Sequence, residues 1–432
     1  MHFKEKFRSK SFWAIDLLKG RPVRRHYNNI QHILENPSDS KTKLHKSTSL
    51  NAILKHAVTT TNYYKKFKLA AISNFPVINK NTILENFNDF ESNTFKESER
   101  LKITTSGSTG IPLQVWHDSN KKNRNTADTI YFSELANYHL GRTLVYIKLW
   151  DEKSNKNWIT LFKQNIISHN VLDDSDSDIE QFLKKLINSR SQKTMIGYPS
   201  FFEQICKFLD HTDLNVKSAN IKSIISIAET LSDNERNGMT KYFNTPIYNR
   251  YSNQENGIIA QQTLFSKDEY LVNSASYFVE LLHPKKDIPI AAGEVGRIVV
   301  TDLYSYAMPL IRYDTGDMAI STDNGAEVHS LKELFGRRMD MIYDTEGNIV
   351  SPHIFYSVSK FSAHKQFQFI QDGKTTYTFR LNATKQQTEE QQIIKYFKTY
   401  LGENAQIAFN YVNEIPVLES GKRKKVKNNY FR

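Results

Sequence analysis

After residue 100 the chain alternates short apolar runs, rich in Val, Ile and Tyr, with helical stretches, and this alternation constrains its fold more than any other feature. Residues 144–149, 194–196, 221–227 and 297–301 are such runs. Short, continuously apolar runs fit strands buried on both faces, and their alternation with helices calls for an α/β fold. The first 70 residues read differently. Apolar side chains fall three and four apart within 12–18, 30–34 and 50–57, with Pro37 and the hydroxyl-rich residues 47–49 as punctuation, so this region is expected to be helical. A second boundary falls near residue 336. Beyond it, strand-like segments at 341–343, 367–369 and 377–381, a helix over 388–401 and a strand near 406–411 outline a small α+β unit ending in a basic tail. The expected organisation is a basic helical N-terminal region over 1–70, a large domain of mixed sheets and helices over 71–335, and a small C-terminal domain over 336–432.

Composition removes several classes. The length of 432 residues holds two or three units at roughly 100–200 residues per domain. With 39% hydrophobic and 12% aromatic residues there is enough apolar material for a large core, which argues against a disordered chain. The single Cys206 excludes a disulfide framework and any multi-cysteine metal site, and it reads as a core side chain within a helix. No apolar run approaches 18 residues and residues 1–10 lack a signal-peptide core, so a cytoplasmic protein is expected. The net charge of +12 is unevenly placed. Residues 1–70 carry 15 basic and 4 acidic side chains, residues 420–432 carry 6 basic and none acidic, and the intervening chain carries 37 basic and 42 acidic. The acidic middle disfavours nucleic-acid binding, whereas the basic ends suit an acidic partner or a peripheral contact with a membrane.

Several strings carry chemistry. Thr104-Thr-Ser-Gly-Ser-Thr-Gly110 combines glycines that let amides converge with hydroxyls that add donors, the makings of a phosphate cradle or else, taken alone, of a plain turn. It lacks the lysine of the strand-GxxxxGK[ST]-helix loop. Arg250-Tyr-Ser-Asn-Gln-Glu-Asn-Gly257 follows an apolar approach and offers a ring for a purine and a carboxylate for a divalent cation, or else an edge loop with a solvated Glu. Met308-Pro-Leu-Ile-Arg-Tyr-Asp-Thr-Gly-Asp317 packs two carboxylates, a glycine and an arginine after an apolar run. Gly336-Arg-Arg-Met-Asp340 and Ser420-Gly-Lys-Arg-Lys-Lys425 follow. Residues 173–178 hold four Asp, read as a solvated loop with N-capping aspartates rather than a cation site, since no glycine lets the chain wrap an ion.

Taken in order, these strings resemble the adenylate-forming superfamily of acyl-CoA synthetases and adenylation domains, and within it the phenylacetate-CoA ligase branch with its capsular-polysaccharide relatives. Gly197-Tyr-Pro-Ser200 and Ala228-Glu229 add to the match, which spans roughly residues 75–425. The resemblance implies a large adenylate-forming domain with a small mobile C-terminal domain. It also implies an ATP-dependent ligase that forms acyl-AMP and pyrophosphate, then passes the acyl group to CoA, a carrier-protein thiol or an amine. Thr105, Ser106, Gly107, Ser108, Thr109 and Gly110 would hold the β- and γ-phosphates. Tyr251 would lie against adenine near the backbone of Ala228 and Glu229, with Asp317 and Arg337 at the ribose. Glu255 would bind Mg²⁺, and Lys422 would be the catalytic lysine bridging carboxylate and α-phosphate. No general base is required, because a carboxylate is already ionised at neutral pH.

Three positions depart from that pattern. Ser252 replaces a glycine after Tyr251, Met339 stands where relatives carry a charged hinge residue, and residues 344–352 replace a glycine-rich loop, which puts CoA as acceptor in question. Tyr146, Trp150, Tyr198 and Phe201 are aromatic candidates for an acid pocket or for plain core. The rival reading from a different class is a non-catalytic nucleotide-binding or basic scaffold protein of the same fold.

Overall fold

The computed structural model describes residues 3–67, 71–105, 112–150, 157–418 and 420–430. Among them the largest sheet has eight strands. Ile166–Asn170, Thr143–Lys148, Lys193–Gly197, Ile221–Ile227 and Ile247–Asn253 run parallel in that spatial order. Gly257–Gln261, Tyr270–Val272 and Ser330–Leu331 extend the sheet antiparallel. Crossover connections are what parallel neighbours require, and the helices Asp176–Asn188, Pro199–Asp210 and Asp233–Phe243 supply them. Their apolar stripes cover one face of the sheet, where Val145, Ile147, Met195 and Ile224 meet Phe182, Leu183, Ile205 and Met239. The opposite face carries Leu144, Tyr146, Ile196, Ile225, Ile227 and Tyr248 below the end of the helix Ser119–Glu134.

The α/β expectation therefore stands. The helix following the aspartate-rich stretch starts on Ser175, whose hydroxyl accepts the amide of Asp178 at 3.2 Å, rather than on an aspartate. Asp174 is drawn instead into an ion pair with Arg423, 2.9 Å away. Cys206 is buried between helices, where burial pushes its thiol well above the ordinary range.

A second, antiparallel sheet orders Tyr277–Leu282, Val295–Asp302, Tyr313–Ile320 and Glu333–Arg337 side by side. The N-terminal residues form the helices Phe3–Leu18, Pro22–Glu35, Ser40–Thr60 and Asn62–Lys65. Val23, Ile30 and Ile33, spaced at seven and three, pack on Ala127, Ile130 and Tyr131 of Ser119–Glu134. Arg124 of that helix is fully buried, donating to Asn29, Ser276 and Ala275. The lysines and arginines of these helices stay mostly at the surface.

The C-terminal residues form a four-stranded sheet in the order Gln406–Tyr411, Thr376–Asn382, Gln366–Gln371, Val426–Asn428. The helix Glu390–Leu401 lays Ile393, Phe397 and Leu401 on it, one side chain per turn. Part of the basic tail is thus a strand. Val426 pairs with Phe369 and Asn428 with Gln371, a role that one valine among lysines does not advertise.

Candidate active site

The hydroxyl- and glycine-rich run begins where a described strand pair ends. Leu101–Thr104 pairs with Gln114–His117, and the pairing ends where the Thr105 amide donates to Leu113 O at 2.8 Å and the Leu113 amide donates to the Thr105 hydroxyl oxygen at 2.9 Å. Thr105 thus has its amide committed and retains its hydroxyl proton. Ser106, Gly107, Ser108, Thr109 and Gly110 lie outside the described residues. The pair's second strand abuts the next string directly, for His117 Nε2 sits 2.8 Å from Glu255 O.

Glu255 is only 8% exposed, so it is not the solvated glutamate of an edge loop. Its Oε1 accepts from the Tyr313 hydroxyl at 2.9 Å, and no ion pair engages it among the described residues. Burial raises its pKa above the ordinary carboxylate value. Tyr251 lies four residues earlier, at a bulge between Tyr251 and Ser252 that occupies the position of the altered glycine. Its hydroxyl donates to Asp317 Oδ2 at 2.8 Å and lies 3.1 Å from Thr315 Oγ1. Asp317 faces Arg337 across the antiparallel pair, with Arg337 Nε 3.5 Å from Asp317 Oδ1. Burial raises the pKa of Asp317 and Arg337 opposes it, while Asp317 in turn raises that of Arg337. Gly316, between Thr315 and Asp317, has φ 79°, a left-handed turn that glycine adopts without strain.

Ala228 ends the strand Ile221–Ile227 with φ 70°, rare for a residue with a side chain, and Glu229 N bonds back to Ile227 O. The Glu229 carboxylate then ties two parts of the chain together. It accepts from the amide and hydroxyl of Ser200, at 2.9 and 3.1 Å, and from the Arg423 amide at 3.0 Å.

The loop ending at Arg423 sorts the C-terminal charge run. Arg423 pairs with Asp174, Lys424 with Asp340 at 2.6 Å, and Lys425 with both Glu203 and Glu235 at 2.6 and 2.7 Å. Lys422 alone of these four has no ion pair among the described residues. Lys422 is half-buried, burial lowers its pKa, and the charges that act on it are those of Glu229, Arg337, Asp317 and Glu255. Gly421, at φ 74°, lets this loop press against the large domain. A Cβ there would lie 2.9 Å from Leu149 Cβ and 3.0 Å from Val171 Cγ2.

Described residues of the other four strings therefore come together from positions 251 to 422, and the strand pair that carries Thr105 abuts them through His117 and Glu255. Sequence reasoning missed the residues that hold them: Tyr313 on Glu255, Thr315 on Tyr251, and the Glu203–Lys425–Glu235 triad. Each is a long-range pair of ordinary polar residues, with no local signal. The aromatic candidates divide. Tyr198 and Phe201 are core, while Tyr146 and Trp150 are half-buried on the opposite face. Met339 is exposed in the turn Arg338–Asp340, and residues 344–348 form a hairpin turn in which Asp344 accepts the amides of Glu346 and Asn348.

The donor set suits a nucleotide with its metal. Mg²⁺ is usually held by one or two carboxylates plus phosphate oxygens, and the unpaired buried Glu255 offers one. No cluster of three or more acidic, His or Cys side chains is present among the described residues, so the protein by itself does not build a full cation cage.

Comparison with known proteins gives the same frame. Residues 342–429 match the family described as the CapK C-terminal domain. Protein CapK of Staphylococcus aureus is 25% identical over 385 residues, which covers 84% of this chain and 82% of that protein. Among solved structures, 2-hydroxyisobutyryl-CoA ligase in the postadenylation state superposes with a TM-score of 0.72 at 14% identity over 90% of both chains. The same enzyme with 2-HIB-AMP and CoA in the thioesterification state gives 0.59 at 15% identity over 91% of both. The anthranilate-CoA ligase AuaEII with anthranoyl-AMP gives 0.55 at 14% identity over 77% of this chain and 67% of that one. The chain thus has the fold of the adenylate-forming acyl-CoA ligases, as the resemblance implied.

Proposed function

We propose that this chain is an ATP-dependent ligase that activates a carboxylic acid as acyl-AMP and passes the acyl group to CoA, a carrier-protein thiol or an amine. The observation that carries the reading is the grouping of Tyr251, Glu255, Asp317 and Arg337 with Lys422, which alone of residues 422–425 has no ion pair among the described residues. Attack of a carboxylate on a triphosphate brings like charges together, so rate depends on neutralisation and alignment. Lys422 supplies a cation that would bridge the acid's carboxylate and the α-phosphate as the new O–P bond forms and pyrophosphate departs. Asp317 would accept the ribose hydroxyls, with Arg337 fixing the orientation of its carboxylate. Tyr251 would offer its ring to adenine beside the turn at Ala228 and Glu229, and Thr105 to Gly110 would meet the outer phosphates. Glu255 would hold Mg²⁺, which supplies charge neutralisation at the phosphates.

ATP–pyrophosphate exchange across a panel of carboxylic acids tests the reading. At least one acid should support exchange, and Lys422→Ala should abolish it with ATP binding retained. ATP binding without exchange for any acid would overturn it in favour of a non-catalytic nucleotide-binding protein. Supplying acyl-AMP with CoA, a carrier protein or an amine identifies the acceptor. The exposed basic side chains of the N-terminal helices, Lys4, Lys6, Lys10 and Lys19 beside exposed Phe7 and Leu18, are the surface that an acidic partner or anionic membrane would meet. No helix among the described residues is long and apolar enough to cross a membrane.

A further inference from the structure

Arg250 immediately precedes Tyr251 on Ile247–Asn253, so alternation along the strand sends its side chain to the opposite face of the sheet. There it lies beside Ile227, its partner in register on the next parallel strand. It is only 7% exposed. Nε donates to Gln261 Oε1 at 2.6 Å and Nη2 to Ser133 Oγ at 2.9 Å, both neutral acceptors. No carboxylate pairs with it among the described residues, and neither of these bonds uses Nη1. Three other buried arginines are treated differently. Arg312 has Glu280 at 2.9 Å, Arg297 has Asp314 at 3.1 Å, and Arg124 has Asp128 at 4.0 Å. Burial lowers the Arg250 pKa to about 10, as expected for a charge withdrawn from water without a counter-ion.

The surroundings say where an anion would enter. Along Thr143–Lys148 the residues facing the crossover helices, Val145 and Ile147, are fully buried, whereas Leu144, Tyr146 and Lys148 on the Arg250 side are half-buried. Trp150 and Ile227 are half-buried too. Among the described residues this face is therefore incompletely covered at the C-terminal ends of the parallel strands, the place where open α/β sheets take their ligands. It backs directly on the nucleotide residues, since Ala228 follows Ile227 and Tyr251 follows Arg250. An acid whose carboxylate met Lys422 could extend its carbon chain along Tyr146 and Ile227 toward the guanidinium.

We propose that Arg250 receives a second carboxylate at the far end of the acid, so that the substrate class is the dicarboxylic acids. This rests on the ligase reading above and narrows it. Arg250 is then a specificity-determining residue, because its planar fork matches a carboxylate and is left unpaired by an uncharged tail.

The full chain would be assayed by ATP–pyrophosphate exchange with succinate, glutarate and adipate, each beside its monoamide and a monocarboxylic acid of equal length. In the wild type one dicarboxylate should exceed its monoamide in kcat/KM by about 100-fold, the usual scale for losing one partner of a buried charge pair. Arg250→Met should erase that preference with the KM for ATP unchanged, and Arg250→Lys should keep part of it. Binding is followed separately by the rise in unfolding temperature that the same dicarboxylate produces, expected in the wild type and absent in Arg250→Met. If Arg250→Met does not fold, the wild-type preference and Arg250→Lys decide the matter. Exchange that favours monocarboxylic acids, or a dicarboxylate preference that survives Arg250→Met, would overturn the inference and leave the ligase reading intact. Arg250-dependent protection by a dicarboxylate with no exchange for any acid would uphold the anion site and sink the ligase reading. Neither protection nor exchange would remove both.

Discussion

Lys425→Met tests whether the ion triad at the end of the charge run holds Lys422 in the site. Lys425 Nζ lies 2.6 Å from Glu203 and 2.7 Å from Glu235, with the three side chains 11%, 16% and 2% exposed. Glu203 and Glu235 sit on the helices Pro199–Asp210 and Asp233–Phe243 of the large body, while Lys425 belongs to the C-terminal domain beside Tyr356 and Phe367. The triad therefore spans the two units. Breaking a buried pair from one side costs about 3–5 kcal/mol. Here the low end applies, because Glu203 keeps Lys207 at 2.7 Å and Glu235 keeps the Ser232 amide at 2.7 Å. A loss of about 3 kcal/mol corresponds to roughly 150-fold in the docking equilibrium. None of the three side chains lies in either hydrophobic core, so the loss should fall on docking and not on the folding of each unit. Exchange in Lys425→Met is expected to drop by up to about 150-fold, while transfer from supplied acyl-AMP falls much less and the unfolding midpoint moves little. Exchange within twofold of the wild type would refute the argument. Burial would raise Glu203, but Lys425 and Lys207 outweigh it and hold its carboxyl well below the usual range. The same carboxylates, against burial, hold Lys425 above its own. Glu203's contribution is present above the ordinary carboxylate pKa of about 4.3 and lost only in stronger acid; that of Lys425 is present below about 10.4 and lost above its raised value. Docking should therefore be insensitive to pH from about 5 to 9.

Other expected outcomes follow from single residues. Burial lowers the Lys422 pKa and the ammonium must stay protonated to act, so kcat/KM for exchange should fall on an alkaline limb below the ordinary lysine value of 10.5. That limb should vanish in an active Lys422→Arg, and its persistence there would assign it to another group. Gly421→Ala adds a Cβ at φ 74° against Leu149 and Val171, and should cut exchange at least about tenfold while the C-terminal domain stays folded by circular dichroism. Glu255→Gln keeps the acceptor for Tyr313 but removes the charge, so the Mg²⁺ concentration for half-maximal exchange should rise more than about tenfold; an unchanged Mg²⁺ titration would remove Glu255 as its ligand. Phe369→Ala empties the centre of the C-terminal core, where Phe369 stacks on Phe355 at 3.9 Å, and should cost that unit about 3–5 kcal/mol in a urea titration.

How much was legible beforehand depended on whether a signal was local. Strands such as Ile221–Ile227 and the helix Glu390–Leu401 announce themselves through apolar runs and an i, i+4 stripe, because burying a sheet face or a helix stripe needs only neighbours in sequence. The motif strings were likewise legible, since a turn at Gly316 and its flanking carboxylates are written within a few residues. In contrast, nothing within the run Lys422 to Lys425 distinguishes its four cations by physics. Asp174, Asp340, Glu203 and Glu235 do so, from more than 80 residues away, by occupying three of them. Nor do the neighbours of Glu255 in sequence tell a cation ligand from a solvated edge residue; Tyr313 at its carboxylate and His117 at its backbone carbonyl, both distant in sequence, enclose it. By itself the sequence determined the α/β body, the small C-terminal unit and the residue types of the proposed nucleotide site, all of which rest on local periodicity and turn chemistry. Only the tertiary structure decided that Lys422, unlike its three neighbours, has no ion pair among the described residues and that Arg250 is buried against neutral acceptors, because Coulomb energy and desolvation depend on distances between chain segments that sequence separation does not encode.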